Sequence, residues 1–255
     1  MNIQKKNKRV AWITGASSGI GRELSKQLSS KGWKLALTAR NLENLKLIAD
    51  EMSNDTLIVP ADVSNKNEIQ IAYKEIIKKF KKIDLCILNA GIYNSVDALN
   101  IDSNVFKKHM DINYMGVVYP LEFLIPHFLE NKMGHISIIS SPTGWRGLPL
   151  ASAYGPSKAA LINLAQSLRY QLEPNGIKIQ IISPGFVLTN ATPINEHKLP
   201  GIISSELAAK KIIKALNSGS FETIVPNYYL LWLMYFLKFL PENIAYKIIK
   251  WKTGY

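Results

Sequence analysis

The sequence predicts an α/β fold: a single doubly wound domain of three layers, with a parallel sheet between two layers of helices. Three observations carry that prediction. Short apolar runs alternate with helix-period segments from residue 9 to residue 183. A glycine cluster, TGASSGIG, stands between the first strand and the first helix. The run IDLCIL at residues 83–88 is nearly all apolar, as a strand covered on both faces of a parallel sheet must be. At 255 residues, 47% of them apolar, the chain can build one core of that size.

Residues 9–14, RVAWIT, form the first strand, ended by Gly15. RELSKQLSSKG follows with Leu24 and Leu28 at helical spacing and Gly32 as its stop. KLALTARN, residues 34–41, is a second strand expected to end at Arg40, and LENLKLIADEM is helical. TLIVPADVS carries a third strand expected to end in Asp62 and Val63, and KNEIQIAYKEIIKKF is an amphipathic helix with lysines outward. KIDLCILNAG is a fourth strand closing in Asn89, Ala90 and Gly91. Residues 101–131 read as one long helix containing Asn113, which Pro120 should kink or interrupt. GHISIIS, residues 134–140, is the fifth strand, followed by a helix over 154–173, the strand IKIQIIS and Pro184-Gly185. After a loop around 186–203 come a helix from about Ser204 to Asn217 and a strand, FETIVP. The expected division is a catalytic domain over 1–225 and a C-terminal extension over 226–255.

Ligands of open parallel sheets gather at the C-terminal ends of the strands, so the glycine turn, Asn89 and Ser141 share one edge. Tyr154 follows Ser141 by thirteen positions, and Lys158 lies one helical turn further. Side chains four apart lie on one helix face, so a phenol and an ammonium can address one point. A Tyr-x-x-x-Lys pair alone is also an ordinary exposed helical pair, and the surrounding motifs decide between the two. Proton transfer to or from an alcohol would use all three groups. A phenol's pKa of about 10 is too high for a base near neutrality, and a nearby positive charge favours its ionised form. Lys158 is expected to supply that charge, and Ser141 to hold the substrate oxygen against the Tyr154 hydroxyl.

The glycine turn has the spacing G-x-x-x-G-x-G, at Gly15, Gly19 and Gly21. A strand, glycine turn and helix N-terminus together receive a dinucleotide pyrophosphate on backbone N–H groups. Arg40 falls where the adenosine ribose would lie. An acid there suits NAD, whereas an arginine suits a 2′-phosphate, so NADP(H) is the expected cofactor.

Composition excludes other classes. The formal charge is +12, but the 31 basic residues are 26 lysines and only 5 arginines, spread along the chain. That is a solvated lysine surface rather than a nucleic-acid footprint, so no nucleic-acid partner is expected. The lone Cys86 forms no internal disulfide and fits a reducing compartment. The four histidines form no ligand cluster, so no metal is expected, and His197 in the loop is either a substrate contact or an exposed residue. The apolar run after the basic start is too short for a signal peptide, which predicts a cytoplasmic protein.

TGASSGIG, Asn89-Ala90-Gly91, Asn113, Ser141, the block from Tyr154 to Lys158 and Pro184-Gly185 stand in an order and spacing that resembles the short-chain dehydrogenase/reductase family over roughly residues 9–190. The resemblance implies a Rossmann-like fold and an NADP-dependent oxidoreductase. It implies that Tyr154 is the acid or base, that Lys158 lowers the pKa of Tyr154 and binds the nicotinamide ribose, that Ser141 orients the substrate and that Asn113 helps hold a water on a proton relay. It further implies that Gly15, Ser17, Ser18, Gly19, Ile20 and Gly21 line the pyrophosphate and ribose, that Arg40 meets the 2′-phosphate, and that Asp62 and Val63 bracket the adenine. Asn89, Ala90 and Gly91 would support the ribose side, and Pro184, Gly185, Val187 and Thr189 the nicotinamide. Pro156 departs from the usual small residue but is tolerable in a first helical turn. Ser17 departs from the basic residue common in NADP-preferring members, leaving that preference on Arg40. A rival reading is a non-catalytic NADP-binding sensor or membrane scaffold on the same fold, which would need no proton donor.

The tail puts nine of the 24 aromatic residues into the last 28 positions. Residues 228–237 are continuously apolar but fall short of the roughly 20 residues that span a bilayer. After Pro241, Ile244, Ile248 and Trp251 have helical spacing, with Lys247, Lys250 and Lys252 among them. Such a segment either lies in a membrane interface, making the protein peripheral on an inner membrane face, or buries itself as a lid or subunit contact. Both readings set an apolar surface near the active-site edge, so the expected substrate is a hydrophobic carbonyl or alcohol: lipid-like, long-chain acyl or steroid-like. The helices at 101–131 and 154–173 are apolar on more than one face, and the resemblance implies a homodimer or homotetramer.

Overall fold

The structure, a computed structural model, describes residues 9–189, 201–226 and 229–255. Its strands are β1 (Val10–Thr14), β2 (Lys34–Thr38), β3 (Thr56–Ile58), β4 (Leu85–Leu88), β5 (Gly134–Ile139), β6 (Ile177–Pro184), β7 (Val187–Leu188), β8 (Ile203–Ser204) and β9 (Glu222–Val225). Its helices are α1 (Gly19–Ser30), α2 (Leu42–Asp50), α3 (Lys66–Phe80), α4 (Ser103–His109), α5 (Gly116–Asn131), α6 (Tyr154–Leu172), α7 (Ser205–Leu216), α8 (Tyr229–Leu237) and α9 (Glu242–Thr253). Seven strands form one parallel sheet in the order β3-β2-β1-β4-β5-β6-β9, and β7 pairs with β8 apart from it. The order reverses between β1 and β4, the switch point at which such sheets open a crevice.

Alternation along β1 builds both helix layers. Trp12 joins the cluster of Ile76, Phe128 and Leu161 on one face. Ile13 joins Leu24, Leu37 and Ile212 on the other. Each of these side chains is fully buried, which stabilises the fold by about 1.5–3 kcal/mol apiece relative to exposure. Trp12 still needs a partner for its ring N–H and finds it in the Thr38 hydroxyl at 2.9 Å.

Local signals set the helix ends. Gly32, at φ +86°, closes α1 with its N–H on Ser29 O, while the Trp33 N–H reaches back to Leu28 O. Asn65 caps α3 through the N–H groups of Asn67 and Glu68. Ser204 caps α7 through the Leu207 N–H.

Three expectations are corrected. The second strand ends at Thr38, so Arg40 stands in the bend beyond it. The third strand ends at Ile58, two residues before Pro60. Val59 N and Ala61 N nevertheless bond Leu37 O and Ala39 O, which carries Asp62 and Val63 to the same edge. The long helix is irregular at Met110–Met115, wound as a π-helix, and α5 runs through Pro120 and Pro126. The wide turn holds Asn113 and changes which side chains face the sheet. Among the described residues, no helix is long and apolar enough to cross a membrane.

Candidate active site

The glycine turn joins two strand ends. The Thr14 hydroxyl, at the end of β1, accepts the N–H groups of Asn89 (3.1 Å) and Ala90 (3.2 Å) beyond β4. Asn89 Nδ2 returns donors to Thr14 O (3.1 Å) and Gly15 O (3.2 Å). Gly15 and Gly19 adopt left-handed backbone at φ +65° and +51°. A Cβ on Gly21 would lie 2.1 Å from Gly15 O, so α1 sits against the turn only because glycine is there. α1 begins with no side-chain cap from Ser18 and no acid in its first turn. Neither such a cap nor a first-turn acid serves its leading N–H groups, and a narrow glycine cradle with donors of this kind fits a dinucleotide pyrophosphate. Ile20 packs on Val187, Ile203 and Ala208, and Thr189 lies 3.0 Å from where a Gly19 Cβ would stand. Ser17 is half-buried at this turn, and Arg40 is exposed past β2 on the same edge.

Asp62 and Val63 reach the edge but are occupied. Asp62 Oδ1 accepts from Ser64 N (2.9 Å) and Ser64 Oγ (2.7 Å), holding the turn into α3. Val63 is core, against Gly116, where an added Cβ would meet its methyl at 2.7 Å. Pro184 ends β6, and a Cβ on Gly185 would meet Leu231 of α8 at 2.9 Å. The tail helix thus closes on the segment expected beside the nicotinamide. His197 lies outside the described residues.

Ser141, Tyr154 and Lys158 converge through β5 and α6. Ser141 follows β5, and its Oγ accepts from Thr143 N (3.3 Å) and Thr143 Oγ1 (2.9 Å), leaving its own proton to donate. Tyr154 opens α6, with Pro156 exposed in the first turn. Lys158 is 3% exposed and donates to Ile139 O at 2.9 Å, and its Nζ stands 5.6 Å from the Tyr154 ring centre. A Cβ on Gly91 would meet Asn113 Oδ1 at 3.3 Å and lie in ordinary contact, at 3.5 Å, with Lys158 Nζ. The buried Asn113 amide is fully used: Oδ1 accepts from Ile92 N (2.8 Å), and Nδ2 donates to Ile92 O (3.1 Å) and Ser157 Oγ (2.9 Å). Its side chain is a tie between the β4 end and α6.

Burial decides the charges here. It pushes the Tyr154 phenol up to about 12, a hydrogen bond with Ser141 pulls it back in part, and Tyr93 adds to the rise. Burial also lowers Lys158 to about 8. Desolvation is the largest influence on both the phenol and the ammonium.

Two residues without a sequence signal complete the site. Tyr93 packs edge-on to Tyr154 at 5.2 Å, and His109 at 6.4 Å. His109 is fully buried, its Nδ1 2.7 Å from Val105 O and its Nε2 accepting from Asn94 N at 3.1 Å. Thr14 did carry a signal, as the hydroxyl heading TGASSGIG. A cleft of about 360 Å³ lined by Gln27, Lys31, Lys210 and Lys214 shares no residue with this cluster. Among the described residues, no group of three His, Cys, Asp or Glu could hold a metal ion.

A family model described as short chain dehydrogenase matches residues 9–199. An Arabidopsis thaliana protein named 11-beta-hydroxysteroid dehydrogenase-like 2 is 37% identical over 251 residues, covering 93% of this chain and 80% of the relative. Among solved structures, a 3-ketoacyl-(acyl-carrier-protein) reductase from Brucella melitensis, complexed with NADH, is 26% identical with a TM-score of 0.79, covering 85% of this chain and 96% of its own. ElxO with NADP bound shares the fold at 24% identity and a TM-score of 0.79, over 88% of this chain and 99% of its own.

Proposed function

The chain belongs to the short chain dehydrogenase family, oxidoreductases of CH–OH and C=O groups, and on that premise we propose that it is an NADP(H)-dependent reductase of hydrophobic carbonyl compounds with Tyr154 as proton donor. The observation that carries this reading is the convergence of Ser141, Tyr154 and Lys158 at the sheet edge that also holds the glycine cradle.

When bound, the nicotinamide supplies a hydride to the carbonyl carbon. Ser141 donates its hydroxyl proton to the carbonyl oxygen and holds it at the Tyr154 hydroxyl. Tyr154, at about 12, keeps its proton at neutral pH, which is the state reduction needs, and gives it to the forming alkoxide. Lys158, at about 8, is mostly charged at pH 7 and stabilises the phenolate that results. Asn113 keeps the floor of the site in register through Ile92 and Ser157. The cradle at Gly15, Gly19 and Gly21 receives the pyrophosphate, and exposed Arg40 receives the 2′-phosphate. A hydrophobic substrate is supported by the apolar wall at this edge, where Leu231 meets Gly185 and Tyr235 packs on Trp145 at 5.1 Å. The steroid and acyl compounds named for the relatives are of the same class.

The test is titration with NADPH and NADH, followed by reductase assays on carbonyls of increasing chain length. NADPH should bind more tightly, Arg40→Asp should reverse the preference, and rates should rise along the apolar series. Tyr154→Phe should lower kcat by roughly 10²–10⁴-fold while binding NADPH unchanged. A Tyr154→Phe enzyme of normal rate would sink the assignment.

A further inference from the structure

The C-terminal helices present an apolar, basic surface that the oxidoreductase reading does not use. Tyr229, Trp232, Leu233 and Phe236 stand at i, i+3, i+4 and i+7 of α8, and all are exposed, from 39% for Leu233 to 81% for Tyr229. A surface helix normally turns its apolar stripe inward. This one also does so, with Leu231 and Leu237 each 6% exposed against the domain. The outward face is therefore a second apolar stripe. Phe239 continues it at 66% exposure, and Trp251 of α9 is exposed at 76%.

The surface is fixed to the active-site rim. Arg146, five residues after Ser141, donates through Nε to Leu237 O at 3.1 Å, through Nη2 to Leu240 O and through Nη1 to the Glu242 carboxylate. One guanidinium thus caps the end of α8 and holds the start of α9. Ala245, fully buried, seats α9 behind it.

Charge selects the occupant. Residues 229–255 carry Lys238, Lys247, Lys250 and Lys252 against one acid, Glu242, which Arg146 already engages. Lys247, Lys250 and Lys252 are exposed. A second copy meeting this face about a two-fold axis would set Lys247, Lys250 and Lys252 against lysines, since Glu242 is engaged by Arg146 and Glu222 faces Lys238. An anionic lipid surface answers both properties: aromatic rings rest at the headgroup level and lysines reach the phosphates. We propose that α8 and α9 form a docking surface for an anionic lipid bilayer, on which the protein lies with its active-site rim towards the membrane.

The experiment is co-sedimentation of the full chain with phosphatidylcholine vesicles containing or lacking phosphatidylserine, at low and high salt. Wild type should sediment with the anionic vesicles only, and salt should release it. K247Q/K250Q/K252Q should bind roughly a hundredfold more weakly, at about fivefold per lysine, and W232S/F236S should also detach. Both variants change outward-facing residues, and unchanged melting and NADPH binding show that they fold. Failure of wild type to sediment with either vesicle would overturn the proposal, as would variants that sediment like wild type. So would a shift of W232S/F236S to a smaller oligomer with no change in lipid binding, which would make the occupant a second copy. NADPH binding and turnover report on the oxidoreductase reading separately, so either can fail alone.

Discussion

Replacement of Gly21 by alanine separates a cradle built for a ligand from an ordinary tight turn. The new Cβ would lie 2.1 Å from Gly15 O, 2.7 Å from Asn89 Nδ2 and 2.9 Å from Gly15 C. Gly15 is backbone in a left-handed conformation and its carbonyl accepts from Asn89, so no flexible side chain can give way. α1 must retreat by about 1 Å, at a cost of about 1–3 kcal/mol for overpacking. The strained Asn89 hydrogen bond adds about 0.5–1.5 kcal/mol. At roughly 2–4 °C per kcal/mol for a chain of this size, melting should fall by roughly 3–18 °C. The same retreat withdraws the first α1 amides from a phosphate, and loss of one charge-assisted bond, about 1.5–3 kcal/mol, should weaken NADPH at least tenfold. Gly32→Ala is the control: its Cβ meets nothing within 4 Å, but φ is +86°. It should lose about 1–2 kcal/mol of stability through left-handed strain alone and bind NADPH normally. Differential scanning fluorimetry and a fluorescence titration measure both quantities. If Gly21→Ala binds NADPH as wild type does, the cradle argument is wrong.

Two further outcomes follow from buried polar groups. Burial, helped by nearby Lys178, holds His135 at about 4 against an ordinary 6.5. Below pH 6.5 the unfolded chain takes up a proton that the folded chain refuses until about pH 4, so stability should drop across that window by up to roughly 3 kcal/mol. His135→Leu should flatten a urea-denaturation profile measured from pH 7 to pH 4, and superimposable profiles would refute the assignment. Asn113→Ala should cost about 2–4 kcal/mol, because it takes the amide from Ile92 N–H and Ile92 C=O in the interior and one of two partners from the Ser157 hydroxyl, which still donates to Tyr154 O. Chemical denaturation reads that loss, and a cost under about 0.5 kcal/mol would mean that water replaces the amide.

The layered sheet was legible because each strand writes its own burial. The apolar run at Leu85–Leu88 could only be a strand covered on both faces, and Thr14-Gly15 could only turn there. The glycine cradle and the Ser141, Tyr154 and Lys158 trio were legible for a related reason: their spacing along one edge follows from local chain geometry. Strand ends were less so. β2 and β3 end at Thr38 and Ile58 although Val59 N and Ala61 N still bond Leu37 O and Ala39 O, and terminal positions of this kind are not encoded by propensity. Tyr93 and His109 carried no local signal: Tyr93 lies in the irregular segment after β4, His109 ends α4, and only the folded chain brings both against Tyr154. Arg146 is the sharpest case. Between Trp145 and Gly147 it resembles any surface arginine, and its role appears only once α8 and α9 fold back to offer two carbonyls and a carboxylate.

Ionisation was the least legible property, and it changes the chemistry most. A phenol and an ammonium four residues apart invite the inference of a lysine-stabilised phenolate. That inference holds only if both groups stay near water or near other charges. The fold instead puts Lys158 at 3% exposure with Ile139 O as its acceptor, and surrounds Tyr154 with two aromatic rings. Desolvation then works against both charged forms, moving the phenol to about 12 and the ammonium to about 8. On the role proposed for Tyr154, the trio is therefore set to give a proton rather than to take one. Oxidation of an alcohol would require the phenolate, and stabilising it at pH 7 against a pKa of about 12 takes roughly 7 kcal/mol from newly bound groups. Reduction draws on a proton already in place. Measured in both directions at pH 7, the activity should accordingly be larger in reduction, and the oxidative rate should rise more steeply as pH increases. An oxidative rate that exceeds the reductive one and is flat between pH 7 and 10 would place an ionised Tyr154 in the resting enzyme and refute the dominance of burial.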